Sequence, residues 1–162
     1  MIHIGIDPGL DGAIAFLDIV KGRMSIIDMP TVEIMRNNKK KREVSAVELA
    51  RYIDIGMNAA GEPQPATIFL ERVNAMPGQG VTSMFSLGRS VGIVEGVVAG
   101  IGLPITIVPP RTWQKAANVR DGKDGSRQRA MELFPAYAGL FARKKDNGRS
   151  DAALIAWYGA TL

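Results

Sequence analysis

The chain has 162 residues, 46% of them hydrophobic, a formal net charge of +4 and no cysteine. That length supports one compact domain with a real core, and the missing thiols exclude disulfide frameworks, zinc–thiolate sites and cysteine nucleophiles. Mean hydropathy near zero and a pI of about 9.6 predict a soluble, cytoplasmic protein without signal peptide or membrane span, suited to an anionic polymer.

Residues 2–7 are apolar and β-branched and stop at Pro8-Gly9; residues 12–18 and 24–29 resume after Asp11-Gly12 and Lys21-Gly22-Arg23. That pattern predicts a three-stranded antiparallel meander, with Asp11 in its first hairpin turn and His3 packed within a strand. Residues 33–43 are mostly polar, with Arg36, Lys39, Lys40, Lys41 and Arg42 close together, and read as a mobile basic loop. Ser45-Ala46-Val47-Glu48 is a capping box opening a helix that turns Val47, Leu49, Ala50 and Ile53 inward and ends near Gly61. Residues 66–70 are short and apolar, flanked by prolines and Glu71, as a central strand covered on both faces would be. A loop over 74–80 leads to a helix over 83–100, whose glycines at 88, 92, 96 and 100 fall along one face and admit another backbone closely. Residues 104–108 form the last strand. Trp113 opens a basic helical region continued by 127–133, and 150–158 is the closing helix. The order implies an α/β fold in one domain, a five-stranded mixed sheet with helices on both faces.

Four carboxylates stand out. Asp7 and Glu71 end apolar strands that would be neighbours, and Asp146 and Asp151 flank the start of the last helix. Two divalent cations that activate water for attack on phosphate need several such ligands, so Asp7, Glu71, Asp146 and Asp151 form the expected catalytic and metal-binding set. Two Mg2+ ions per site are expected, with Mn2+ as substitute. Five residues along an ideal helix turn a side chain by about 500°, so Asp146 and Asp151 cannot share a helical face. Asp146 is therefore expected before the helix, in a turn at Asn147-Gly148 with Ser150 as cap, its carboxylate bent back toward Asp7. The alternative is a solvated partner of Lys144 or Lys145.

The strand Ile4-Gly5-Ile6-Asp7-Pro8-Gly9, the strand ending in Glu71, the segment from Met84 to Gly92 and the closing Asp151-Ala152-Ala153-Leu154-Ile155-Ala156 together resemble RuvC, the Holliday junction resolvase with an RNase H-like fold. Resemblance runs almost the whole chain, and the short length and divergent loops look like a bacteriophage-type member. It implies a homodimer that binds four-way or branched DNA and makes paired symmetric nicks, with the glycine-lined helix at the subunit interface. With DNA as substrate, the basic residues Arg36, Lys39, Lys40, Lys41, Arg42, Arg111, Lys115, Lys123 and Arg127 become expected phosphate contacts; Arg129 stands beside them. Two departures from the pattern matter. The residue three before Asp151, an acid or histidine in RuvC, is here Gly148, and the aromatic that follows the catalytic glutamate is replaced by Asn74, leaving Met76 or Phe85 as stand-ins. The competing functions are a branched-DNA-binding protein with a silent nuclease site, which the intact acids oppose, and an actin-like sugar kinase, which needs more chain.

Overall fold

The computed structural model describes residues 1–36, 38–58, 61, 64–75 and 77–162. Strands β1 (Ile2–Asp7), β2 (Ala13–Asp18) and β3 (Arg23–Asp28) form the expected meander, and β6 (Ala66–Glu71) and β7 (Ile105–Val108) complete the main sheet. Its order is β3-β2-β1-β6-β7, antiparallel between β1, β2 and β3 and parallel from β1 through β6 to β7.

Side chains alternate across this sheet with the period of two that a pleated strand imposes. On one face Ile4, Ile6, Ile14, Phe16, Ile68 and Leu70 are buried under α1 (Ala46–Met57) and α2 (Val81–Gly100). On the other, Ala13, Ala15, Leu17 and Phe69 meet α3 (Pro110–Ala116), α4 (Gly125–Leu133) and α5 (Asn147–Ala160). Each fully buried aliphatic contributes roughly 1.5–3 kcal/mol, and the two cores together cover both faces of the sheet, as expected. His3 stacks on Phe69 with ring centroids 6.2 Å apart, so its place is in packing.

Three local expectations are corrected. Residues 33–36 and 39–43 belong to an antiparallel ribbon, β4 (Thr31–Arg36) with β5 (Lys39–Val44), not a loop. Asn38 takes a φ of 54° at its turn, the left-handed conformation asparagine tolerates, and that turn chemistry outweighs the polarity of the strands. The ribbon is tied to α2 by a two-pronged ion pair from Arg89 to Glu43 and by the Arg36 guanidinium lying 5.1 Å over the exposed Phe85 ring. Val47, expected inward, is exposed; about 200° of helical rotation separates it from the buried Leu49. By length and hydropathy alone α2 also qualifies as a membrane-crossing helix, against the expectation of no such segment, although Val94 and Val98 are fully buried in the core.

Candidate active site

The site is built by one close approach and one strand register. A Cβ on Gly5 would lie 2.1 Å from the Ala152 carbonyl oxygen and 2.4 Å from the Ala156 nitrogen, so only glycine lets α5 settle onto β1. Asp7 is two residues further along the same face of β1, and Asp151 precedes Ala152 on α5. In the parallel β1–β6 pairing Ile6 stands opposite Leu70, so one step on Asp7 and Glu71 end adjacent strands. The connection after Asp7 folds back tightly: Gly9 donates its N–H to Asp7 Oδ1 at 3.1 Å, and Gly12 donates to the Gly9 carbonyl.

Burial governs the electrostatics of these acids. It pushes the Glu71 carboxyl up to about 8, with the charges of Asp7 and Asp151 adding to the effect and the Trp113 N–H opposing it. Asp151 is pushed up to about 7 by burial, against a hydrogen bond from Ser126 and with the Asp7 charge reinforcing the rise. Asp7 is also raised by burial, partly offset by the Gly9 N–H, with Asp11 adding to the rise. Among the described residues no basic side chain relieves any of the three. Buried carboxylates that repel one another favour protonation unless a cation joins them.

A divalent ion fits this chemistry. Asp151 Oδ1 is buried with no hydrogen-bond partner, and the ligand set is all oxygen, as hard cations require. Among the described residues no group of three acidic or imidazole side chains is arranged to hold an ion as it stands.

Asp146 does not join them, which corrects the expectation that its carboxylate bends toward Asp7. It sits in a short 3-10 turn (Lys144–Asp146) ahead of α5, as the helical geometry required. Its carboxylate is taken instead by the Arg143 backbone N–H at 2.8 Å and the Arg143 guanidinium at 2.9 Å, with Arg149 at 3.9 Å. Those hydrogen bonds hold it below the usual carboxylate range. Its ion partners are thus arginines rather than Lys144 or Lys145. Ser150 lies inside α5, donating its hydroxyl to the Asp146 carbonyl rather than capping the helix. Gly148 is required where RuvC has an acid or histidine, because a Cβ there would come 2.4 Å from the Asp11 carbonyl oxygen.

The expected phosphate contacts divide. Arg36, Lys39, Lys40 and Lys41 are exposed on the ribbon, as are Arg111, Lys115 and Lys123 beyond it. Lys40 also pairs with Glu33, and Arg42 is held on Asp11 in the connection that follows β1. Arg127 is corrected: it is buried, bound to Asp124 and donating to the Ala142 carbonyl at 3.0 Å, so it braces α4. Arg129 is similarly occupied by the Ala117 carbonyl and Glu132. Of the stand-in aromatics, Phe85 is 55% exposed and Asn74 is exposed; Met76 lies outside the described residues. Two partners of the acids carry no signal in the sequence. Trp113 reads there only as a core or basic-region residue, and nothing local marks Ser126 as a donor to Asp151.

No family model matches the chain. Among curated proteins it is similar to the chloroplastic Holliday junction resolvase MOC1 of Chlamydomonas reinhardtii, 29% identical over 154 residues that cover 86% of this chain. The chain spans only 18% of that protein's length. Among solved structures, Thermus thermophilus RuvC in complex with Holliday junction substrate superposes with a TM-score of 0.58 at 11% identity, over 99% of this chain and 96% of that one. A second Thermus thermophilus RuvC structure gives 0.50 with the same identity and coverage. The sheet order, the helices on both faces and this match together establish an RNase H-like fold of the RuvC type.

Proposed function

We propose that the chain is a divalent-metal-dependent endonuclease that nicks Holliday junctions or other branched DNA. One observation carries this above the others: Asp7, Glu71 and Asp151, drawn from β1, β6 and α5, are half-buried acids near enough for their charges to act on one another, with no basic side chain to compensate them among the described residues. The similarity to MOC1 and the fold shared with a junction-bound RuvC support the choice of branched DNA.

Asp7, Glu71 and Asp151 would hold the metal, expected to be Mg2+ with Mn2+ as substitute. When bound, two such ions would supply an activated water and neutralise charge developing on the phosphate. The chain's own part is to fix the Asp7 carboxylate through the Gly9 N–H, and to hold the DNA backbone. Arg36 and Lys39 to Lys41 on the ribbon, with Arg111 and Lys115 on the helix that carries Trp113, are the cations placed for phosphate contact.

A homodimer completes the proposal, because two matched nicks in a symmetric junction call for a symmetric protein. Its support is the outward stripe of α2, where a Cβ on Gly88, Gly92, Gly96 or Gly100 would meet nothing within 4 Å among the described residues. The deciding assay is cleavage of four-way, three-way and linear DNA with Mg2+. Selective, paired nicking of the four-way substrate is expected, and absence of any nicking by pure protein would refute the assignment. Sedimentation of the wild type and Gly92→Leu tests the dimer: a monomer both free and on a junction would count against it.

A further inference from the structure

We infer that Trp113 is a positioning residue, its indole N–H holding the Glu71 carboxylate in the orientation that receives a divalent cation. The inference rests on the nuclease reading and extends it to a residue outside the acids. Trp113 is fully buried among Val108, Ala117, Ala130 and Phe141, while Arg111 and Lys115 of the same short helix are exposed. Its Nε1 donates to Glu71 Oε1 at 3.2 Å, reaching from α3 to the end of β6. Pro110 opens that helix, and the Ala117 N–H closes it on the Trp113 carbonyl at 2.8 Å, so the ring is carried on a fixed backbone.

Space alone does not call for an indole, since a phenyl ring would bury comparable apolar surface without adding a donor that must be satisfied. The acceptor this donor meets is one of the three acids that burial and mutual repulsion hold above their ordinary pKa. An indole N–H is neutral and can only donate. It therefore fixes the carboxylate through one oxygen without cancelling its charge, leaving the other oxygen to a metal. An arginine in that place would neutralise the carboxylate, as Arg143 does for Asp146.

Both tryptophans of the chain serve the test. In Trp157→Phe, Trp113 is the sole tryptophan, and its emission is expected to change on addition of Mg2+ and to lose that response when Glu71→Gln is added. Trp113→Phe is expected to weaken Mn2+ binding, counted by electron paramagnetic resonance, by about tenfold, with junction affinity in EDTA unchanged. Unaltered Mn2+ affinity in a folded Trp113→Phe, or Trp113 emission blind to saturating Mg2+ that the protein demonstrably binds, would overturn the inference. Should Trp113→Phe fail to fold, the emission experiment decides alone. A wild type that binds no Mn2+ would instead sink the metal-dependent reading on which the inference stands.

Discussion

Asp146 and Asp151 lie five residues apart at the head of the same helix and have opposite fates. Asp146, 1% exposed, is met by Arg143 and Arg149 and held ionised. Asp151, half-buried with its Oδ1 enclosed, faces the charge of Asp7 and is pushed up to about 7. Arg149 extends the first cluster to Asp28 at the end of β3, so this network pins the start of α5 to the sheet edge. What separates a structural carboxylate from a catalytic candidate here is whether the chain provides the compensating cation. Where it does, the charges close on themselves; where it does not, the carboxyls are pushed upward.

The largest effect should come from the uncompensated acids. Asp7→Asn, Glu71→Gln and Asp151→Asn are each expected to lower nicking at least about a hundredfold, on the scale of losing a principal charge-stabilising group. Junction binding in EDTA should survive, as gel shifts would reveal; wild-type nicking by any of the three removes that residue from the site. Neutralising Lys39, Lys40 and Lys41 is next. Affinity for every branched DNA should fall together, and the log–log salt slope should flatten by roughly 0.9 for each phosphate no longer neutralised. An unchanged slope in a fluorescence titration would place the ribbon away from DNA, whereas Arg127→Gln should leave the slope alone and cost stability instead.

Asp146→Asn sharpens the contrast from the other side. Its nicking rate per folded molecule, measured across a Mg2+ series, should match wild type, while its melting temperature falls by a few degrees because Arg143 and Arg149 lose their buried partner. A selective loss of turnover at low Mg2+ would restore Asp146 to the metal site.

A pH dependence of opposite sign separates the two clusters. Glu71 and Asp151 bind protons more tightly folded than unfolded, so the stability they lend is complete below their ordinary values of 4.5 and 3.8. It is lost as pH rises through about 7 to 8. Asp146 and Asp28, held low by arginine, lend stability present above 3.8 and lost only as pH falls further. In EDTA the melting temperature should therefore drop between about pH 5.5 and pH 8.5, with Mg2+ restoring part of the loss at the alkaline end. Glu71→Gln should shrink the drop, and a profile equally steep in that variant would assign it to other groups.

Much of the fold is written locally. The alternation of Ile4, Ile6, Ile14 and Ile68, the Ser45 cap and the apolar run before Glu71 each report a neighbourhood of a few residues, which is the range over which strand period and helix capping act. Asp7 and Glu71 are legible for the same reason, since each ends a strand that cannot easily be anything else. The ribbon is not, because its strands are mostly exposed and carry no alternating buried face, and it is held by the turn at Asn38, the grip of α2 and the Arg42–Asp11 pair. Tertiary structure alone decided which late acid joins the site, why residue 148 is glycine, and which donors reach Glu71 and Asp151. Those outcomes depend on contacts between residues such as Asp11 and Gly148, or Trp113 and Glu71, that lie tens of residues or more apart, and a local pattern carries no information about distance across the fold.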